Sequence, residues 1–343
     1  MHIPDGFLDA PTSIATGVVA ASVVGLSLRR SARELGESGP VLAGLVACFV
    51  FAVQMVNFPV GAGTSGHLLG GALAAALVGP WTGILVMACV LLVQGLFFAD
   101  GGLTALGSNI TLMGVVGVAV AYAVMSALLR VLPRRPSSVV PAVAVGALAS
   151  VPAAAACFAL LFAVGGQVPI DVATLTTAMV GWHVLIGVGE ALITSAVVGA
   201  VLATRPDLVH VARHLRPDLV LVGADGARTT VTADTPAPAV RVGRRGAAVG
   251  LAAALLVGGG LSLFASSHPD GLEYVAEHLG FDRAAQDSAV ATGPLADYEI
   301  HALGGTIGAA GAGVVGVLLT LALALAVAWV ARRGAPDSLN DAR

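Results

Sequence analysis

The sequence contains no lysine: all 17 basic residues among its 343 are arginine. Without a primary side-chain amine there is no P-loop lysine to reach nucleotide phosphates, so any ATP-driven step belongs to another chain. Charge is scarce as well. Charged residues make up 11% of the chain, against about 25% in soluble domains. With 57% hydrophobic residues and a mean hydropathy of +0.92, this excludes a water-soluble chain and indicates a polytopic membrane protein. A net charge of -3 with no basic cluster leaves no footprint for nucleic acid. The three cysteines, Cys48, Cys89 and Cys157, lie far apart inside apolar runs, which provides neither a disulfide framework nor a CxxC metal site. No HExxH motif supports an intramembrane metalloprotease. Glycine, by contrast, is abundant at 44 residues, as closely packed membrane helices require.

A crossing needs about 20 apolar residues. By that measure the sequence predicts an all-α polytopic fold of about nine transmembrane helices, at roughly 10–28, 41–58, 67–79, 82–99, 109–129, 138–164, 174–203, 246–264 and 303–331. The third run is short, open to a re-entrant reading, and is kept as a crossing by arginine placement. Arg29, Arg30 and Arg33, then Arg130, Arg134 and Arg135, then Arg205 through Arg245, then Arg332 and Arg333 all fall on one side if nine crossings begin with the amino terminus outside. Residues 1–203 then form a seven-helix bundle, 204–245 a cytoplasmic linker, 246–333 a two-helix hairpin, and 334–343 a cytoplasmic tail. Between the last two spans, residues 265–302 hold seven acidic residues against one arginine and are expected outside. The first nine residues lack the basic n-region of a secretory signal, so the chain is expected to begin at Met1.

The start, Met1-His2-Ile3-Pro4-Asp5-Gly6, carries the most chemistry. A terminal amine, the His2 backbone amide and the His2 Nδ1 can close one five-membered and one six-membered chelate ring in a plane. Such a plane suits Ni(II) and Cu(II) and accepts Co(II). A terminal amine ordinarily titrates at about 7.7 to 8.0, so capture must displace protons and should weaken in acid. The best fourth donor is His67, which follows a glycine-rich stretch, Gly61-Ala62-Gly63-Thr64-Ser65-Gly66, that lets the backbone approach a small ligand. The plainer alternatives are an exposed His2 at a frayed terminus and a hydrogen-bonded interfacial His67.

Met1-His2-Ile3-Pro4-Asp5-Gly6-Phe7, the stretch Gly63 to Gly71, Gly79-Pro80-Trp81, Leu96 to Gly102 and Gly187-Val188-Gly189-Glu190-Ala191 together resemble the CbiM/NikM family. These are the substrate-specific membrane components of energy-coupling-factor transporters for nickel and cobalt. The resemblance covers roughly residues 1–203 and implies Ni(II) or Co(II) as transported substrate, with no organic cofactor. It implies donors from Met1, His2 and His67, and partners in the form of an energy-coupling membrane subunit and two ATPase subunits in a bacterial cell membrane. It also implies a transporter component rather than an enzyme. Ser267-His268-Pro269-Asp270-Gly271-Leu272-Glu273 resembles the PDGLE segment of the small CbiN/NikN components, so 246–333 reads as such a subunit fused to the first.

Among the remaining polar residues, Asp5, Asn57, Gln94, Ser108 and Asn109 are candidates to surround the same site. Glu190, the carboxylate well inside a span, follows His183 by seven residues on one helix face, and the pair reads as a hydrogen-bonded brace. The alternative function is a proton-coupled secondary carrier that uses Glu190 and His183 as its relay. His268, Asp270 and His278 could form a weak transient metal site, and the acidic loop could raise the local cation concentration. Small residues every fourth position, Ser13, Gly17, Ala21 and Gly25, then Gly304, Gly308, Ala312 and Gly316, suit close helix contact with a coupling subunit and with the bundle, or ordinary intrachain packing.

Overall fold

The computed structural model describes residues 1–35, 39–215, 219–222, 228–231 and 242–333. Helix α1 (Ala10–Arg30) begins where the Asp9 carboxylate accepts the Thr12 N–H at 2.9 Å, with Pro11 in the first turn. Arg29 and Arg30 close it at the negative end of the helix dipole. After α2 (Gly39–Gln54), strands β1 (Phe58–Gly61) and β2 (Thr64–Gly66) form a small antiparallel hairpin. Extended residues 67–70 lead into α3 (Gly71–Val78), followed by α4 (Pro80–Phe97) and α5 (Leu106–Val131), which is π-helical over Ile110–Val116. Helices α6 (Val139–Gly165) and α7 (Val172–Thr204) pack against each other and complete the first part of the chain. The strands β3 (Leu219–Val222) and β4 (Arg228–Val231) pair within the expected linker. Helix α8 (Arg244–Gly259), the short α9 (Gly271–Leu279) and α10 (Gly305–Arg333) form the carboxyl-terminal hairpin.

Seven of these helices are long and apolar enough to cross a membrane: α1, α4, α5, α6, α7, α8 with its 3-10 extension, and α10. The count of nine is not confirmed, because two of the expected runs do not form helices of full spanning length. The run at 41–58 yields the 16 residues of α2, about 24 Å of helix against a hydrocarbon core of about 30 Å. The run at 67–79 yields only the eight residues of α3, because Gly70 at φ 85° and Gly79 at φ 92° end the helix on both sides. The extended residues before it gain about 3.3 Å each rather than 1.5 Å, so the segment still connects the two faces of the protein. It starts beside Met1 and ends at Gly79, next to Glu34 and His210. Its non-helical backbone is tolerated because it is buried in protein, with every residue from Thr64 to Val78 buried.

The hairpin packs into the bundle. A side chain at Gly44 of α2 would come within 2.9 Å of Leu325 on α10, and Gly316 of α10 faces the rings of Phe51 and Phe98. Gly308, Ala312 and Gly316 are all buried on this face, whereas Gly304 precedes the helix at φ 63°. On α1 the buried line is Thr12, Thr16, Ala20 and Ser27, and the small-residue stripe lies beside it with Ala21 exposed. The expected linker is not wholly free. Val209 and Val211 are buried under the end of α3, and Arg213 donates to the Glu34 carbonyl at 3.5 Å. Residues 216–218, 223–227 and 232–241 of that segment, and the tail 334–343, lie outside the described residues.

Candidate metal centre

Residues 1–9 fold inward along the face opposite the Arg30 end of α1. Asn109 at the start of α5 grips the Ile3 backbone from both sides, accepting its N–H at 2.8 Å and donating to its carbonyl at 3.1 Å. Asp5 accepts from Leu103 N at 3.1 Å, Thr104 N at 2.7 Å and the Thr104 hydroxyl at 2.5 Å. Gly6, at φ 88°, makes the turn that returns the chain toward α1, and the Phe7 carbonyl accepts from Gln167 N at 3.1 Å. Ile3 is fully buried and Met1 only 3% exposed, so the chain end is enclosed in protein.

This fold places Met1 N 2.5 Å from His67 Nε2, both buried. His67 Nδ1 lies 2.9 Å from the Leu68 carbonyl, an acceptor, so that nitrogen carries the proton and Nε2 presents its lone pair to the amine. The His2 ring stacks on the His67 ring at 5.1 Å between centroids and 23° between planes. His2 Nδ1 faces Asp100 Oδ1 at 3.2 Å and Nε2 faces Gln94 Oε1 at 3.1 Å. Burial pushes the His2 imidazole down to about 4 against the pull of Asp100, so it is neutral and has one N–H for two apparent acceptors. Rotating the Gln94 amide resolves the conflict, because Gln94 Nε2 is otherwise buried without a partner. His2 then donates from Nδ1 to Asp100 and accepts at Nε2 from Gln94.

A residue of the carboxyl-terminal hairpin enters the same group. Asp270 Oδ2 lies 2.7 Å from Met1 N and 3.6 Å from His67 Nε2, while Oδ1 caps α9 by accepting from Leu272 N and Glu273 N at 2.8 and 2.9 Å. Burial opposes its charge, but the Met1 ammonium beside it holds the carboxyl well below the usual range. Neighbouring Glu273 is shifted the other way, by Asp270 first and then by burial. Above His2 lies a cavity of about 410 Å³ whose lining includes Asp100, Asp270, Glu273, Glu277, Asp282 and Asp297. Its carboxylates supply the single sign of charge that concentrates cations.

The other candidates separate. Glu190 does not brace His183: its carboxylate accepts from Leu69 N at 2.6 Å and Gly70 N at 3.1 Å, while His183 Nδ1 bonds the Met179 carbonyl at 2.7 Å. Residues seven apart share a face but stand about 10 Å apart along the axis, too far for a direct bond. The carrier's proposed relay thus has no direct side-chain link. His183 Nε2 is buried without a partner, close under Gly271. Ser108 bonds the Thr16 hydroxyl at 2.7 Å and fastens α1 to α5, and Asn57 contributes its carbonyl to Ser266 N at 2.8 Å. His268 and His278 do not gather with Asp270. The His268 carbonyl takes the Ser65 hydroxyl, and the exposed His278 ring lies 3.9 Å from Tyr274. Asp100, Tyr298 and the position of Asp270 against the amine were not anticipated. Two of them occur in the quoted ADGG and PDGLE stretches, but no local pattern reports a contact across 269 positions. Among the described residues no group of three His, Cys, Asp or Glu side chains is arranged to hold an ion. The amino-terminal reading needs two imidazoles and two backbone nitrogens instead.

Residues 2–208 match the family model CbiM, cobalt uptake substrate-specific transmembrane region. The chain belongs to this family. Residues 244–333 match the PDGLE domain. A protein of Archaeoglobus fulgidus, provisionally described as the fused nickel transport protein NikMN, is 33% identical over 97% of this chain and 99% of its own. A provisionally described metal transport protein of Haloquadratum walsbyi is 37% identical over 64% of this chain and the whole of its own. A solved structure titled as a truncated transition metal transporter superposes with a TM-score of 0.54 at 27% identity, covering 59% of this chain and 99% of that one. This CbiM-family chain is a membrane protein of a metal-transport family, and its relatives are transport proteins rather than enzymes.

Proposed function

We propose that this CbiM-family chain captures Ni(II) or Co(II) as the substrate-binding component of an energy-coupling-factor importer. The donors are the Met1 amine, the His2 amide, the His2 imidazole and the His67 imidazole, on the outer face of a bacterial cell membrane. The observation that carries this reading is the buried approach of Met1 N to His67 Nε2 at 2.5 Å. A chain end is ordinarily solvated, and here it is enclosed beside an imidazole whose other nitrogen is already committed. The relatives described as cobalt and nickel proteins support both metals, and an all-nitrogen donor set does not separate them. Asp270 supports the same reading as the group that neutralises the amine until a cation replaces its proton. The absence of lysine supports ATPase subunits on separate chains, joined through a coupling subunit that docks on the exposed side of α1.

Adding one residue before Met1 moves the amine out of chelating range. In the purified, untagged protein, its end verified by mass spectrometry, this extension should abolish tight Ni(II) and Co(II) binding while leaving the thermal unfolding of the metal-free chain close to normal. His67→Ala should lose the metal as well. Undiminished binding by the extended chain would falsify the amino-terminal site. Uptake into proteoliposomes containing this chain alone, driven by a proton gradient, would favour a carrier instead.

A further inference from the structure

The carboxyl-terminal hairpin reaches the candidate site by a second route, independent of Asp270. Tyr298 donates its hydroxyl to Asp100 Oδ2 at 2.5 Å, and the opposite oxygen of the same carboxylate holds His2 Nδ1 at 3.2 Å. The phenol is itself fixed. Its ring stacks on Phe98 at 4.9 Å and 23° and lies 6.2 Å from Phe51, and the preceding residue's N–H donates to the Phe98 carbonyl at 3.0 Å. Backbone strain is concentrated at this contact. Among the described residues four non-glycine positions have positive φ, and three of them are here: Ala99 at 56° beside Asp100, then Asp297 at 55° and Tyr298 at 57°. Strained conformations persist only where surrounding structure holds them, and they collect at functional sites.

We infer that Tyr298 is a positioning residue for the metal site, acting through Asp100 to hold the His2 imidazole in its stack on His67. With residues 1–3 so held, the ordering is complete before capture; the ion then takes Nδ1 from Asp100, the displaced proton passing to the carboxylate as the 3.2 Å contact opens. The hairpin therefore contributes to the site's geometry as well as to its charge. This rests on the amino-terminal reading proposed above, and its test separates the two.

The experiment uses the full chain with its native start. Ni(II) binding is followed by the association rate, the equilibrium affinity and the visible absorption of the bound ion, in wild type, Tyr298→Phe, Asp100→Asn and the double variant. Outer partners of metal ligands commonly contribute 10- to 100-fold in affinity. Tyr298→Phe should accordingly slow capture and weaken binding about tenfold, with the absorption band shifted or broadened and the metal-free unfolding temperature unchanged. Asp100→Asn should be at least as severe, and the loss in the double variant should fall well short of the sum of the two, because the phenol acts mainly through the carboxylate, with Gln94 as its other neighbour. Should Asp100→Asn fold poorly, Asp100→Glu supplies the second arm of the cycle. Wild-type rate and spectrum in Tyr298→Phe, or losses that simply add in the double variant, would overturn the inference. If blocking the amine leaves binding intact, the site reading fails first; if blocking abolishes binding and Tyr298→Phe changes nothing, only the positioning role fails.

Discussion

The amine of Met1 lies 2.7 Å from Asp270 Oδ2, a contact between the first residue of the bundle and the turn that opens α9 in the hairpin. The amine is fully buried and the carboxylate nearly so, and removing one partner of such a pair typically costs about 3–5 kcal/mol. In the metal-free chain Asp270→Asn should therefore loosen residues 1–9 specifically, since Asn can still cap α9 but no longer matches the ammonium charge. Hydrogen exchange reports this directly: the Ile3 amide, bonded to Asn109, should lose protection by at least tenfold while amides within α6 and α7 keep theirs. Unchanged protection at Ile3 would mean the pair contributes nothing to seating the amino terminus.

Much of this arrangement was legible from particular residues, and the remainder was illegible for definable reasons. The order of donors at Met1 and His2 is written in the chain itself, and the glycines before His67 announce a close approach of backbone. Asp5, Gln94 and Asn109 were readable as polar candidates to surround the site, and the structure sets Gln94 against His2, Asn109 against Ile3 and Asp5 against Thr104. Apolar length, however, does not distinguish helix from buried extended chain, so the segment around α3 read as a full span. Side-chain pattern also cannot reveal backbone partners. Glu190 and His183 share a helix face, which suggested a pair, but the amides of Leu69 and Gly70 claim the carboxylate. The contacts of Asp270 and Tyr298 depend on how two distant modules dock, and nothing local to either residue encodes them.

Glu190 holds the short extended link between His67 and α3. Its two accepted hydrogen bonds, at 2.6 and 3.1 Å, satisfy N–H groups that no helix serves, at a depth without water. Such hydrogen bonds contribute about 0.5–1.5 kcal/mol each, and leaving a buried N–H unpaired costs about 1–3 kcal/mol. Glu190→Gln keeps one acceptor oxygen and should cost about 1–3 kcal/mol of stability, with Ni(II) affinity reduced severalfold because His67 is held less firmly. Glu190→Ala should be worse on both measures. Thermal unfolding in detergent together with metal titration decides the matter, and a Glu190→Ala chain with wild-type stability would show that the link needs no such anchor.

At the opposite face Glu34 performs a comparable task under different electrostatics. Its carboxylate accepts from Trp81 N at 3.2 Å and Thr82 N at 2.7 Å, capping α4 just beyond the Gly79 break, while Arg30 sits 4.7 Å over the Trp81 ring. Burial raises its pKa despite those bonds and the nearby Arg213. An acid whose pKa is higher in the folded than in the unfolded state binds its proton more tightly when folded. Its contribution to stability is then present in full below the unfolded value, about 4.3, and declines as pH rises through the raised folded value. Wild-type chain should therefore lose unfolding temperature between about pH 4 and the raised folded value, and Glu34→Gln, which keeps the shape and one acceptor but cannot titrate, should flatten that slope. Parallel pH profiles of unfolding in the two chains test this, and an equal slope in both would assign the dependence to other carboxylates.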